Sequence, residues 1–153
     1  MKPIKRSVAV VIPETAPRRG EAPGGPVLVV RRPPDDEDLP GAWGLPAGSL
    51  HPDESWEEAV RRAGREKLGV ELRPGALVRE GELEREAYLL RMRLYAAEIE
   101  EGEPSVPQPG PGVTQYTAWA WAPVARLEPA ARAGSLCSRL FLAWAGRGEG
   151  RRG

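Results

Sequence analysis

Between Gly48 and Val70 the chain has few choices beyond a loop followed by one short helix closed by glycine. Asp53 and Ser55 are both residues that cap helix N-termini. Glu54, Glu57 and Glu58 crowd the first turn, while Arg61, Arg62, Arg65 and Lys67 follow. That order of charge suits the helix dipole. Gly69 stands where a C-terminal cap belongs. The spacing predicts a helix over roughly residues 55–68. The chain on either side must therefore supply the sheet against which this helix packs.

The same segment resembles the signature of the Nudix hydrolases, Gly-x5-Glu-x7-Arg-Glu-U-x-Glu-Glu-x-Gly-U, in which U is a bulky aliphatic residue. Gly48, Glu54, Arg62, Glu66, Gly69 and Val70 fall on their slots. Ala63 and Lys67 stand where that family has metal-binding glutamates, and Gly64 stands in an aliphatic slot. The approach, from Arg31 through Pro40-Gly41-Ala42-Trp43-Gly44-Leu45-Pro46, resembles the family's usual lead-in. The resemblance implies an α/β fold, the Nudix-type α/β/α sandwich with a mixed β-sheet. It implies hydrolysis of a pyrophosphate bond in a nucleoside diphosphate linked to another moiety, with Mg²⁺ or Mn²⁺ as cofactor. It also allows a homodimer.

Pyrophosphate cleavage needs cations, because a diphosphate repels an attacking water; carboxylates hold them in place. Glutamates at i, i+3 and i+4 of a helix form one cluster. Here that set is Ala63, Glu66 and Lys67, so two negative charges are lost and one positive charge is gained. At an effective dielectric near 20, one unit charge about 4 Å away is worth roughly 4 kcal/mol. A metal cluster at this spot is therefore weakened. Glu66 is the best remaining metal ligand and Glu54 the second. Glu54 lies on the other side of an ideal helix and helps only if the loop before it folds back. Arg62 and Glu66 are the candidate catalytic residues, and Gly48, Lys67, Arg32 and His51 the candidate phosphate contacts. A general base could come from Glu98, Glu100, Glu101 or Glu103. Two readings follow: an enzyme with altered metal-dependent catalysis, or a catalytically impaired nucleotide-binding or regulatory module.

Elsewhere the chain alternates strand and loop signals. Residues 4–12 and 27–30 read as buried strands, 70–72 and 76–82 as short extended pieces, and 88–97 and 115–121 as strands. Residues 135–145 read as an amphipathic helix. Glu14 to Pro26 and Glu98 to Gly112 read as loops, rich in proline and glycine. Arg91 and Arg93 are expected to cover a sheet face, Trp119 and Trp121 to pack, and Cys137 to be a buried thiol. Residues 1–146 are expected to form one domain, with 147–153 a tail outside it. The 22 basic and 22 acidic residues cancel, so no overall basic field points to nucleic acid or an anionic membrane. No apolar run approaches the roughly 20 residues needed to span a bilayer. The expected partner is a small-molecule nucleotide and the expected location is cytoplasmic.

Overall fold

Alternate residues of the first strand face different helices, and this sets the layering of the molecule. The structure is a computed structural model that describes residues 2–17, 21–109 and 115–146. The expected tail, 147–153, and parts of both long loops lie outside the described residues. Strand β1 spans Ile4–Val11 and β2 spans Val27–Arg31. Short strands β3 (Trp43–Gly44) and β4 (Ala47–Ser49) follow. Helix α1 spans Trp56–Ala63 and runs on into a π-helical turn, Gly64–Leu68. Strands β5 (Glu71–Glu84) and β6 (Leu89–Glu101) form a long pair, and β7 spans Ala118–Ala122. A 3₁₀ turn at Val124–Leu127 leads to α2 (Glu128–Arg132), and α3 spans Leu136–Trp144.

The mixed sheet has the order β4-β1-β6-β5. In it β1 runs parallel to β6, while β4 and β5 run antiparallel to their neighbours. A second, antiparallel sheet has the order β3-β2-β7. Val8, Val10, Leu28, Val30, Tyr95 and Ala97 pack on the side of α1, together with its own Val60 and Leu68. Ala9, Val11, Val27, Val29, Met92 and Leu94 pack on the side of α3, against Phe141 and Leu142. Covered on both faces, β1 and β2 read as nearly continuous apolar runs. The expected α/β/α layering is present. No described helix is long and apolar enough to cross a membrane.

Several local expectations change. The helix expected over 55–68 is α-helical only to Ala63, because its last turn widens into the π form. Ser55, rather than Asp53, is the cap. Its Oγ accepts from the Glu58 N–H at 3.0 Å, and Glu58 Oε1 accepts from the Ser55 N–H at 2.8 Å. This reciprocal pair is a capping box. Asp53 instead turns the loop, with φ of 66°. Pro74-Gly75 does not break β5 into two pieces; the strand absorbs them through register shifts between Pro74 and Leu77 and between Leu77 and Arg79. Strands β3 and β4 lie within a glycine- and proline-rich stretch that carries no alternation, and pairing with β2 and β1 alone defines them. Trp119 and Trp121 pack as expected, edge to face with centroids 5.9 Å apart. Cys137 is buried.

Gly64, an anomaly in the sequence, has a packing reason. A Cβ there would lie 2.7 Å from Leu72 Cγ and 3.1 Å from the Val70 carbonyl oxygen. Leu72 is fully buried, so it has little freedom to yield. The helix thus lies against β5 more closely than an aliphatic residue would permit. Gly64→Ala should therefore destabilise the fold by about 1–3 kcal/mol in urea unfolding. Alanine's helix propensity pulls the other way by about 1 kcal/mol. A variant as stable as the parent would refute the close approach.

Candidate functional site

The site is built around one guanidinium. Arg62 projects from the last α-helical turn back over the loop that precedes the helix. Its Nε donates to Glu54 Oε2 at 2.8 Å and its Nη2 to Glu54 Oε1 at 2.9 Å. Its Nη1 donates to Glu66 Oε1 at 2.9 Å, and Nη2 also reaches the Ser49 carbonyl. Planar fork geometry makes such a multiple contact specific to arginine. The loop before the helix does fold back, because the His51 N–H donates to Glu54 Oε1 at 3.0 Å. Glu54 and Glu66, on opposite sides of an ideal helix, thus share a single cation. Hydrogen bonding from Arg62, aided by the His51 N–H and opposed by burial, lowers the Glu54 carboxyl to about 2.

Two faces of the helix carry different groups. On the outer face lies an open cavity of about 550 Å³ lined by His51, Pro52, Asp53, Glu54, Glu58, Arg61, Arg62 and Arg65. Glu66 does not line it. The guanidiniums of this face are engaged: Arg65 with Glu71 at 2.6 Å, Arg61 with the Leu72 carbonyl at 3.1 Å. His51 is exposed.

On the inner face, toward the sheets, Ala63 and Lys67 are buried. Gly48 lies beside Ala63; a Cβ on it would sit 3.7 Å from the Ala63 Cβ. Lys67 is 8% exposed and its Nζ lies 5.0 Å from the centre of the Tyr116 ring. Tyr116 is itself fixed, its hydroxyl accepting from the Ala47 N–H at 3.1 Å. Burial first, and then the charge of Arg32, push the Lys67 ammonium down to about 8; Glu66 and Asp36 act in the opposite direction. Arg32 in turn donates to Asp36 Oδ2 at 3.0 Å. Asp36 is anchored by the backbone N–H groups of Asp38 and Leu39.

The structure therefore brings Gly48, Arg62, Glu66, Lys67, Glu54 and Arg32 around one helix, and His51 joins them through its backbone N–H to Glu54 and lines the outer cavity. Glu98 and Glu100, candidates for a general base, are not part of this cluster. Glu98 pairs with Arg73, and Glu100 lies 3.8 Å from Arg61 and 3.9 Å from Arg73. Arg93 covers the sheet as expected and stacks over Trp56 at 4.5 Å. Arg91 pairs with Glu82 at 2.7 Å. Tyr116 and Gln115 were not singled out from the sequence. Gln115 Nε2 donates to the Glu66 carbonyl at 3.2 Å, tying the end of the helix to the approach of β7. Only long-range contacts reveal either role.

These residues do not fit the carboxylate metal centre that the resemblance implies. Among the described residues no group of three or more His, Cys, Asp or Glu side chains is placed to hold a metal ion. Both Glu54 oxygens and one Glu66 oxygen are bonded to Arg62, and an ammonium occupies the Lys67 slot. Lys67→Glu should raise Mn²⁺ affinity by tenfold or more, read by metal titration, since it turns a repelling charge into a ligand. An unchanged affinity would show that position 67 does not face the metal slot. Glu54 also makes stability depend on pH. Its depressed carboxyl contributes stability above the ordinary value of 4.5 that is lost as pH falls toward about 2. Glu54→Gln should cost about 2 kcal/mol in denaturant unfolding at pH 7, and the difference should vanish near pH 2.

Comparison with known proteins agrees with this geometry. The NUDIX domain profile matches residues 5–145. No curated protein sequence matches the chain. The fold is similar to a MutT NUDIX hydrolase from Burkholderia pseudomallei, with a TM-score of 0.70 and 24% identity over 94% of this chain and 98% of that one. It is similar to the E. coli ORF135 protein, with a TM-score of 0.64 and 23% identity over 93% and 91% of the two chains. An ADP-ribose pyrophosphatase from Streptococcus suis aligns with a TM-score of 0.59 and 18% identity over 97% and 96%. With the profile spanning nearly the whole chain, and the helix, loop and sheets arranged as that signature requires, this chain belongs to the Nudix family.

Proposed function

We propose that this chain is a Nudix-fold nucleotide-binding protein that takes a nucleoside diphosphate derivative by its diphosphate and cleaves the pyrophosphate bond only at a residual rate. The observation that carries this reading is the Arg62 clamp beside the buried Lys67. The clamp consumes the carboxylates that would gather divalent ions, while Lys67 and Arg32 offer positive charge on the inner face. Gly48, with no side chain, leaves the backbone of β4 open to close approach. Fold neighbours that include an ADP-ribose pyrophosphatase support a ligand of this class.

A second reading, in which hydrolysis is retained at an ordinary rate, draws on one feature. Glu66 Oε2 accepts no hydrogen bond from a described residue, and a single carboxylate with phosphate oxygens and waters can hold Mg²⁺. We favour the first reading because both Glu54 oxygens and the other Glu66 oxygen are bonded to Arg62.

Two measurements decide. Nucleoside diphosphates and their sugar derivatives, at about 100 times their Kd, should raise the Tm by roughly 5–10 °C. Turnover of the same compounds with Mg²⁺ should stay below about 0.1 s⁻¹, far under the ~10 s⁻¹ median of enzymes. No thermal shift across the panel would defeat the binding reading, and turnover in the ordinary range would establish the second.

A further inference from the structure

A second cavity, of about 740 Å³, opens beside the irregular stretch of β5. That volume lies within the range of small-molecule sites. None of Gly48, Glu54, Arg62, Glu66 or Lys67 lines it. Its origin is the register shift of β5. Pro74 stands opposite Ala97 and Leu77 opposite Tyr95, so two residues of β5 share Ala96 as their partner. A bulge of this kind bends its strand and disrupts the ladder locally. The floor it leaves is made of small residues, Gly75, Ala76, Ala96 and Ala97. Two large side chains border that floor, Trp121 of β7 and Trp144 at the end of α3. Both are half-buried. Trp121 meets Trp119 edge to face, and Trp144 is tilted against Phe141 with centroids 6.2 Å apart. Both rings are thus held in place by the core, and ordering them on binding costs little.

Charge decides what such a cavity accepts. Its described carboxylates are Glu14, Glu21 and Glu98, and its described cation is Arg73. Arg73 is already paired with Glu98, and its Nη1 lies 3.9 Å from Glu100. Glu14 and Glu21 are exposed, and among the described residues neither carboxylate has an ion-pair or hydrogen-bond partner. Aromatic faces and unpaired carboxylates attract the same kind of ligand, a cation, while a floor of small apolar residues accepts a flat body. An anion would meet the two carboxylates as like charges.

We propose that this cavity is a ligand site separate from the box, and that it takes an organic cation, an ammonium or guanidinium group carried on a flat apolar body. The small-residue floor and the two tryptophans hold the body, and Glu14 and Glu21 hold the charge. The inference is independent of the diphosphate reading, because it uses no residue of the box helix.

Tryptamine is the probe, with tryptophol as its neutral counterpart and indole-3-propionate as its anionic one, each titrated calorimetrically into the full chain. Tryptamine should bind roughly tenfold more tightly than tryptophol, and the anion should bind more weakly than either. Glu14→Gln combined with Glu21→Gln, both at exposed positions, should remove most of that preference. Trp144→Leu should weaken tryptamine by about tenfold, and Trp144→Phe should recover most of the loss. Ala76→Phe, also at an exposed position, fills the cavity and should abolish binding of all three probes; it is the independent arm should Trp144→Leu not fold. A thermal melt of each variant separates lost affinity from lost fold. Equal affinity for the three probes overturns the inference, as does binding that a folded Ala76→Phe leaves unchanged. Absence of tryptamine binding at millimolar concentration overturns it as well. Displacement of tryptamine by a nucleoside diphosphate overturns the separation from the box, and none of these results touches the diphosphate reading itself.

Discussion

Everything around the box segment depends on Arg62. One guanidinium holds Glu54 from the loop, Glu66 from the π turn and the carbonyl of Ser49 at the end of β4. Without it the two carboxylates would lose the cation they share, and the His51 N–H would be left to hold Glu54 in the folded-back loop. Partial burial matters here. The Arg62 and Glu54 side chains are 19% and 12% exposed, so their pairing is much less screened than a surface bridge such as Lys2 with Glu84. The clamp closes the loop onto the helix, and in doing so it occupies the groups that a metal centre would need.

The helix itself is held by different forces on its two sides. Val60 and Leu68 are fully buried against the sheets, and each contributes about 2 kcal/mol by leaving water. The outward ion pairs of Arg65 and Arg61 are exposed and contribute little. The apolar face therefore fixes where the helix lies, and the clamp fixes the loop that precedes it. Gly64 completes the seat by letting the backbone approach Leu72 and Val70. Its presence in an aliphatic slot is a closer fit, not a gap.

Ala63 and Lys67 together reverse the electrostatic character of the inner face. In a site lined by carboxylates, a divalent ion mediates between protein and phosphate. In this chain an ammonium stacked over a buried tyrosine stands in that position, with a second cation held near it by Asp36. Phosphate binding needs positive charge from any source, whereas metal-assisted attack needs carboxylates in a particular arrangement, so the two demands on this fold are separable.

The helix of the box, a cap at Asp53 or Ser55, its Gly69 stop, the buried strands β1 and β2, and the helix near the C-terminus were all legible in the sequence. Each is set by residues close together in the chain: capping side chains, charge order, apolar runs and glycine. The resemblance that follows from Gly48, Glu54, Arg62 and Glu66 is local in the same way, and so is the loss of charge at Ala63 and Lys67. What the sequence could not show depends on atoms far apart along it. Tyr116 meets Lys67 from the approach to β7, Asp36 holds Arg32, and strands as short as β3 and β4 exist only through their partners. Glu54 and Glu66 were visible as two acids on opposite sides of a helix. That one arginine binds both, and so withdraws them from a metal centre, was decided by the fold, since only a loop turned back at Asp53 brings them within reach.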